Sequence, residues 1–455
     1  MEHSESSNEV ASTLSRDGAQ KQPISLIGQM NLNAFWIANN FHWQALLAIV
    51  IPSMVVKFLG NADKDINLAL VVIWGTIVAI IVNPLVGALS DYVTFRMGRR
   101  RPFMIIGTIF NIVPLIMFAF APSWFSSTAL LITFSILFVL LQLTNNVANA
   151  PWSAIIADNV PPNQRGSTSG FAGLFTLLGT ALGAFVAGLI VNKNDTLPIY
   201  RHEIVQIFLL IAVVQVIFVL YTVLTVKETP LPITAKFELR PVMKRFFFHP
   251  AAYPDLSWVL LARLLIMMGI WMVFYFLQYY FDDVLGGPGV NIILLGSAFS
   301  GEKFNGTLFQ PILLIAALPT SLIAGSISDH YGRKKFVYLS GAVMSIVCLI
   351  FIVAPSQGLI LLGAAFFGIS YGAYSSVDWA LTCDVLPPTN EAGKFLGIWT
   401  AMGILPQGVG IILGAVILQA LRSMPNHLGY NVLFVATILF FALGTIIIRS
   451  VKNVK

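Results

Sequence analysis

Three sets of polar and aromatic side chains repeat at helical spacing inside long apolar runs of this 455-residue chain. Gln142, Asn145, Asn149 and Trp152 share one stripe, and Trp36, Asn39, Asn40, Trp43 and Gln44 fall within about two turns of another. Amides donate and accept at once, so beside flat aromatic faces they suit a solute covered in hydroxyls. They suit hydrogen bonding between helices equally well, and both readings stay open. His42 lies in the second set, where its ring could titrate near neutral pH or simply pack. The third set places Tyr371, Tyr374 and Ser375 on the face of Asp378. Asp378 is the clearest carboxylate away from the helix ends, which makes it the candidate for proton binding or solute contact. The alternative is a structural ion pair, with Arg263 as a partner. A further row, Trp271, Tyr275, Gln278 and Tyr279, could line the same space or stand as rings at the outer headgroups.

Such groups need apolar elements to position them, and the composition supplies little else. The chain is 57% hydrophobic and 10% charged, with a mean hydropathy of +0.82; soluble domains carry about 25% charged residues. Apolar runs of about 20 residues recur, each long enough to cross a bilayer. With no water to satisfy the backbone there, only helices or closed barrels can span, and the runs lack the alternation of barrel strands. An all-α membrane protein is expected. Twelve spans fall near 29–56, 66–90, 103–121, 127–157, 166–191, 204–226, 256–281, 305–328, 336–354, 357–386, 392–420 and 428–449.

The net charge of +6 sorts by side of the membrane, which argues against a nucleic-acid partner. Of 26 Lys and Arg, Lys57, Lys64, Lys193, Arg201, Lys303 and Arg422 fall on one side, Arg263 lies within span seven, and 19 fall on the other. The positive-inside bias then puts both termini in the cytoplasm of a multi-pass cell-membrane protein. Residues 1–25 read as a disordered cytoplasmic tail, 26–226 as an N-terminal six-helix bundle, 227–255 as a cytoplasmic linker and 256–455 as a C-terminal six-helix bundle. Cys348 and Cys383 both sit in apolar runs, so no disulfide framework is implied.

A long-period repeat supports the division. After span two the chain reads Gly87-Ala88-Leu89-Ser90-Asp91, followed by Arg96, Gly98, Arg99, Arg100 and Arg101; after span eight it reads Gly325-Ser326-Ile327-Ser328-Asp329, followed by Gly332, Arg333, Lys334 and Lys335. The end of span four, Asp158-Asn159-Val160-Pro161-Pro162, is matched at span ten by Asp384-Val385-Leu386-Pro387-Pro388. Glycine lets a neighbouring helix approach closely. Asp91 and Asp329 can accept hydrogen bonds at a helix N-terminus, and the following Arg and Lys can reach Asp158 and Asp384. Gly87, Asp91, Arg99 and Asp158, with Gly325, Asp329, Arg333 and Asp384, therefore form a candidate conformational latch on the cytoplasmic side.

These loops resemble the signature loops of the major facilitator superfamily. The longer first loop, with seven positions from Asp91 to Gly98, is similar to the glycoside:cation symporter and sucrose-transporter-like branches. The run from Gln142 through Asn145, Asn146, Asn149 and Pro151 to Asp158 resembles the helix-four pattern of the sucrose transporters. The resemblance implies twelve transmembrane helices in two pseudo-symmetric six-helix bundles and solute transport by alternating access. It fails at the coupling positions: Gln142 stands where the sucrose pattern has Asp, Ser153 where it has Arg, and Ala79 and Asn83 where the melibiose-type symporters have an Asp pair.

The expectation is thus secondary active or facilitative transport of a small organic solute, a sugar or glycoside being the leading class, by a monomer in the lipid bilayer. A proton is the candidate coupling ion, and no cofactor, metal or enzymatic activity is implied. A drug-type proton antiporter and a non-transporting membrane sensor are the alternatives. The glycines of span five (Gly170, Gly173, Gly179, Gly183) and span eleven (Gly393, Gly397, Gly403, Gly410, Gly414) are expected to pack across the two halves, and Pro406 to kink span eleven.

Overall fold

A computed structural model describes residues 23–93, 95–153, 155, 159–161, 164–228, 249–286, 292–386 and 392–452. Most of the expected tail and most of the expected linker lie outside these residues.

Among the described residues twelve helices are long and apolar enough to cross a membrane. They are α1 (Leu26–Leu59), α2 (Lys64–Tyr92), α3 (Arg101–Trp124), α4 (Ser127–Ser153), α5 (Arg165–Ile190) and α6 (Leu197–Thr225). The second set is α7 (Pro254–Gly286), α8 (Gly301–Gly325, helical on to Tyr331), α9 (Arg333–Val353), α10 (Gln357–Asp384), α11 (Ala392–Ala420) and α12 (Leu428–Ile447). Eleven helices start and end within five residues of expectation. The exception is α6, which begins seven residues before the expected 204, because Arg201, His202 and Glu203 sit on its first turns rather than in a loop. Strands β1 (Ile292–Leu294) and β2 (Ser297–Phe299) form a small antiparallel hairpin before α8 that the apolar pattern does not announce.

Helix pairing repeats with an offset of six. In the first half α1 packs on α5 and α6, α2 on α4, and α3 on α4 and α6; in the second α7 packs on α11 and α12, α8 on α10, and α9 on α10 and α12. The halves meet through α2 with α11 and α5 with α8, a pair of contacts that the same offset interchanges. Each half has an aromatic centre. Phe118 stacks on Phe134 and Phe208 in the first, and Tyr280 sits against Phe351 and Phe434 in the second. Branched and aromatic side chains such as Phe110, Leu224, Ile315 and Val353 face outward, as a lipid-contacting surface requires.

The glycines correct one expectation. Gly179 and Gly183 of α5 face the backbone of Ile37 and Phe41 on α1, within their own half. Gly403, Gly410 and Gly414 of α11 likewise face Arg263, Met272 and Phe276 on α7. Close approach across the halves belongs to other glycines. Gly188 of α5 meets Gly306 of α8, where a Cβ would stand 2.7 Å from the opposite Cα, and Gly408 of α11 faces Ile73 and Thr76 of α2. Small residues serve both contacts; sequence alone did not say which glycine faced which neighbour.

Candidate functional site

The face at which α1 begins and α12 ends is the terminal face, and the opposite one the far face. Between the halves lies a cavity of about 330 Å³, at the lower end of the ~300–1,000 Å³ typical of small-molecule sites. The first half contributes Asn39, Asn40, Trp43, Gln44, Gln142, Asn145 and Asn149; the second contributes Tyr371. Trp36, Trp152, Tyr374 and Ser375 do not line it. The Trp152 ring is fully buried near the terminal end of α4, edge-on to Phe35, with its N–H donated to the Leu32 carbonyl. Trp36 lends its carbonyl to the Asn40 amide, and Ser375 returns its hydroxyl to the Gly372 carbonyl.

Several lining residues were not among the candidates: Asn83, Asn146, Thr176, Thr180, Gln310 and Gln407. A signal was available for three of them. Asn83-Pro84, Gln310-Pro311 and Pro406-Gln407 each set an amide beside a proline inside an apolar run, where the missing N–H loosens the helix ladder. Trp271, Phe274 and Tyr275 complete the wall, so the rings of Trp271 and Tyr275 stand inside the protein, their centres 5.6 Å apart.

The first-half amides brace one another. Trp43 Nε1 donates to Asn145 Oδ1 (3.1 Å), Asn83 Nδ2 to Asn146 Oδ1 (2.8 Å), and Asn146 Nδ2 to the Gln142 carbonyl (2.8 Å). Five buried polar atoms on the cavity wall have no protein partner among the described residues. Asn39 Oδ1 and Asn149 Oδ1 belong to the first half; Trp271 Nε1, the Tyr275 hydroxyl and Gln310 Nε2 belong to the second. Buried polar groups left unpaired cost about 1–3 kcal/mol each, so water or a polar solute in the cavity would stabilise this wall. The lining side chains are amides, hydroxyls, aromatics and aliphatics, all neutral.

Asp378 lies beyond Tyr371 toward the terminal face, outside the lining. Its carboxylate is paired with the Arg263 guanidinium and accepts hydrogen bonds from Trp399 Nε1 (3.1 Å) and the Tyr374 hydroxyl (3.2 Å). His42 pairs with Gln215 and is fully buried.

On the terminal face Asp158 lies outside the described residues, as do the side chains of Asp91 and Asp329. Gly87 packs against Ala150 of α4, and Gly325 against Ser376 of α10, at corresponding points of the two halves. Arg333 Nε stands 3.0 Å from Asp384. In the first half Glu228, beyond α6, accepts the backbone N–H groups of Arg99 (2.7 Å), Arg100 (2.8 Å) and Arg101 (3.1 Å). A carboxylate is thereby set on the N-terminus of α3, where the helix dipole favours negative charge. Gly98, at φ +108°, lets the loop turn beneath it.

On the far face the halves close over the cavity. Tyr279 donates to the Pro52 carbonyl (3.1 Å) and Asn305 to the Ala48 carbonyl (3.3 Å), and Lys64 is 2.6 Å from Asp283. Toward the terminal face Gly170 and Gly173 of α5 look onto open space. Where α1, α7 and α8 enter the far-face closure their backbones widen into π-turns, at Leu46–Val50, Val55–Leu59, Phe281–Gly286 and Asn305–Phe309, a local geometry often found at functional positions.

Comparison with known proteins bears on this architecture. The chain is 28% identical over 215 residues to sucrose transport protein SUC3 of Arabidopsis thaliana, covering 42% of this chain and 35% of that one. It is 30% identical over 181 residues to the general alpha-glucoside permease of Schizosaccharomyces pombe, covering 35% and 31%. The chain thus spans about a third of the length of these curated relatives. Among solved structures it is similar to a bacterial homologue of the human lysosomal transporter Spinster in an inward-facing and unoccupied conformation, with a TM-score of 0.70, 12% identity and coverage of 93% and 97%. The family described as MFS/sugar transport protein matches residues 64–451, from the start of α2 to beyond α12; the chain belongs to that family.

Proposed function

We propose that this protein carries a small, neutral, polyhydroxylated solute, a sugar or glycoside, across the cell membrane by alternating access between its two halves. The observation that carries the reading is the set of five unpartnered polar atoms on one cavity wall, two from the first half and three from the second. A ring with several hydroxyls satisfies donors and acceptors on both sides at once, and the flat faces of Trp43 and Trp271 suit its C–H surface. The neutral lining gives no counter-charge to an ionic solute. Placing the terminal face in the cytoplasm, as the Lys and Arg bias suggests, makes this arrangement the inward-open one. Asp91 and Asp329, each meeting a helix N-terminus of the opposite half, then form the cytoplasmic latch of the opposite state, with Asp158 and Asp384 beside them; Arg333 already stands against Asp384 in this one.

A proton is the proposed coupling ion, and Asp378 its proposed carrier. The binding reading is tested by thermal melting of the purified protein with a panel of mono- and disaccharides, glycosides and cationic drugs. A ligand that binds only the native state raises its apparent stability. Stabilisation by neutral sugars is the expected result; stabilisation by the cations alone refutes the reading.

A further inference from the structure

Two ion-pair points cross the far-face closure, each with its lysine on the first half and its carboxylates on the second, while the buried Asp65 of α2 stands beside Lys64 and Arg422 on the second half. Lys64, on the first turn of α2, reaches Asp283 at the end of α7 and lies over the Tyr279 ring, 4.8 Å from its centre. Lys193, in the α5–α6 connection, is paired with Asp282 of α7 and stands 3.3 Å from Glu302 on α8. These groups are largely withdrawn from water. The lysine side chains are 6% and 13% exposed, and that of Glu302 is fully buried. The surroundings hold them in place: Lys57 donates to the Lys193 carbonyl (2.7 Å), and the Tyr430 hydroxyl to Asp283 (2.6 Å). The outer rim adds two contacts across the halves with neutral partners, Gln419 with Asp63 and Arg422 with the Asn61 carbonyl.

We propose that Lys64 and Lys193 are the two points of an ionic lock that selects the state closed on the far face. The inference concerns regulation of access to the cavity described above, and it rests on the alternating-access reading. An ion pair whose partners share one half, such as Arg333 with Asp384, need not break when the halves part. A pair that spans the halves exists only while they are closed, so its free energy enters the difference between states in full. Removing one partner adds to this, because the other is left charged and unpaired in a dry place. Once the halves part, all of these groups regain water. The loss therefore falls on the closed state alone.

The test is a spin-label distance measurement across the far face, between Ser126→Cys on the α3–α4 connection and Gly358→Cys at the start of α10, in full-length protein with Cys348 and Cys383 replaced. Both positions are exposed, and Gly358 has open space for a side chain. Lys64→Gln and Lys193→Gln should each raise the long-distance population by at least about tenfold. The exchanged pair, Lys64→Asp with Asp283→Lys, should return it toward the parent value. The exchanged pair keeps the charges and reverses their owners, so at the Lys64 point it separates loss of pairing from misfolding, and a parent-like circular dichroism spectrum does so for Lys193→Gln. Single variants with parent-like distances, or an exchanged pair as open as the singles, overturn the lock. Sugar-dependent melting of the parent protein is unaffected by either outcome, so the lock and the binding reading fail separately.

Discussion

The guanidinium of Arg263 lies over the indole of Trp399, 3.6 Å from the ring centre, and its Nε donates to the same residue's carbonyl at 3.1 Å. The stacking leaves the rest of the fork to grip Asp378, with Gly403 making the room. Three helices, α7, α10 and α11, thus meet at one charge pair close to the cavity.

Asp378→Asn keeps the size of the side chain and removes its charge and its titration. Under a proton gradient this variant is expected to lose uphill accumulation while retaining exchange between equal pools. It also strands Arg263, a cost of about 3–5 kcal/mol for a broken buried pair, so the melting temperature should fall. Adding Arg263→Gln should recover much of that fall without restoring accumulation. Intact accumulation in the Asn variant refutes the coupling proposal.

Two cavity donors can be removed singly, Tyr275 without change of shape and Trp271 with a smaller ring in its place. Trp271→Phe and Tyr275→Phe each delete one hydrogen bond to a hydroxylated guest, a net ~0.5–1.5 kcal/mol. Affinity for the best-stabilising sugar should drop about two- to twelve-fold in each, read by calorimetry. Equal affinity in both variants and the parent places the solute elsewhere.

Glu228→Gln retains one acceptor oxygen but loses the charge facing the N-terminus of α3. Loss of a helix cap of this kind costs about 0.5–2 kcal/mol, so a lower melting temperature is expected, reduced further by Glu228→Ala. An unchanged melting curve for the Ala variant removes the cap from the account.

Gly188→Ala places a methyl against the Gly306 backbone, whereas Gly173→Ala points one into open space. The first should wedge the far face apart, visible as greater labelling of far-face cysteines from outside, and the second should leave labelling unchanged. Identical labelling of the two variants contradicts the assignment of the contact.

Lys193 gives an alkaline signature. Burial alone lowers a lysine pKa, but Glu302 and Asp282 outweigh it and hold this one above its ordinary 10.5. A pKa raised by folding contributes stability that is fully present below the unfolded value and is lost as pH climbs through the folded one. Parent and Lys193→Gln should therefore differ most in melting temperature below pH 10.5 and converge above it. A gap that widens with alkalinity reverses the sign and rejects the pairing.

Much of this was legible in the chain itself. Apolar runs of bilayer length gave the twelve helices, and the doubled Gly-x-x-x-Asp loops gave the two halves, because both signals are local. The amide stripes led to the first-half wall for the same reason: helical spacing alone puts Asn145 and Asn149 on one side. The second-half wall was harder to see, since Gln310 and Gln407 are solitary amides that converge only once α8 and α11 are packed. Trp152 was misplaced by the same logic, for a stripe fixes an azimuth and says nothing about depth. Lys57, Lys64, Lys193 and Arg422 were visible as basic residues on the side the charge bias disfavours. The carboxylate partners of Lys64 and Lys193 lie up to 219 positions away, and no local pattern predicts such pairing.

The contacts of Gly188 with Gly306 and of Gly408 with Ile73 and Thr76 flank the cavity on opposite sides. One is nearly bare backbone against backbone, so little there must repack when the halves turn. Gly188 and Gly306 stand in the far-face closure, so this bare contact can part and rejoin without moving a side chain, whereas Gly408 keeps the Ile73 and Thr76 side chains between the halves.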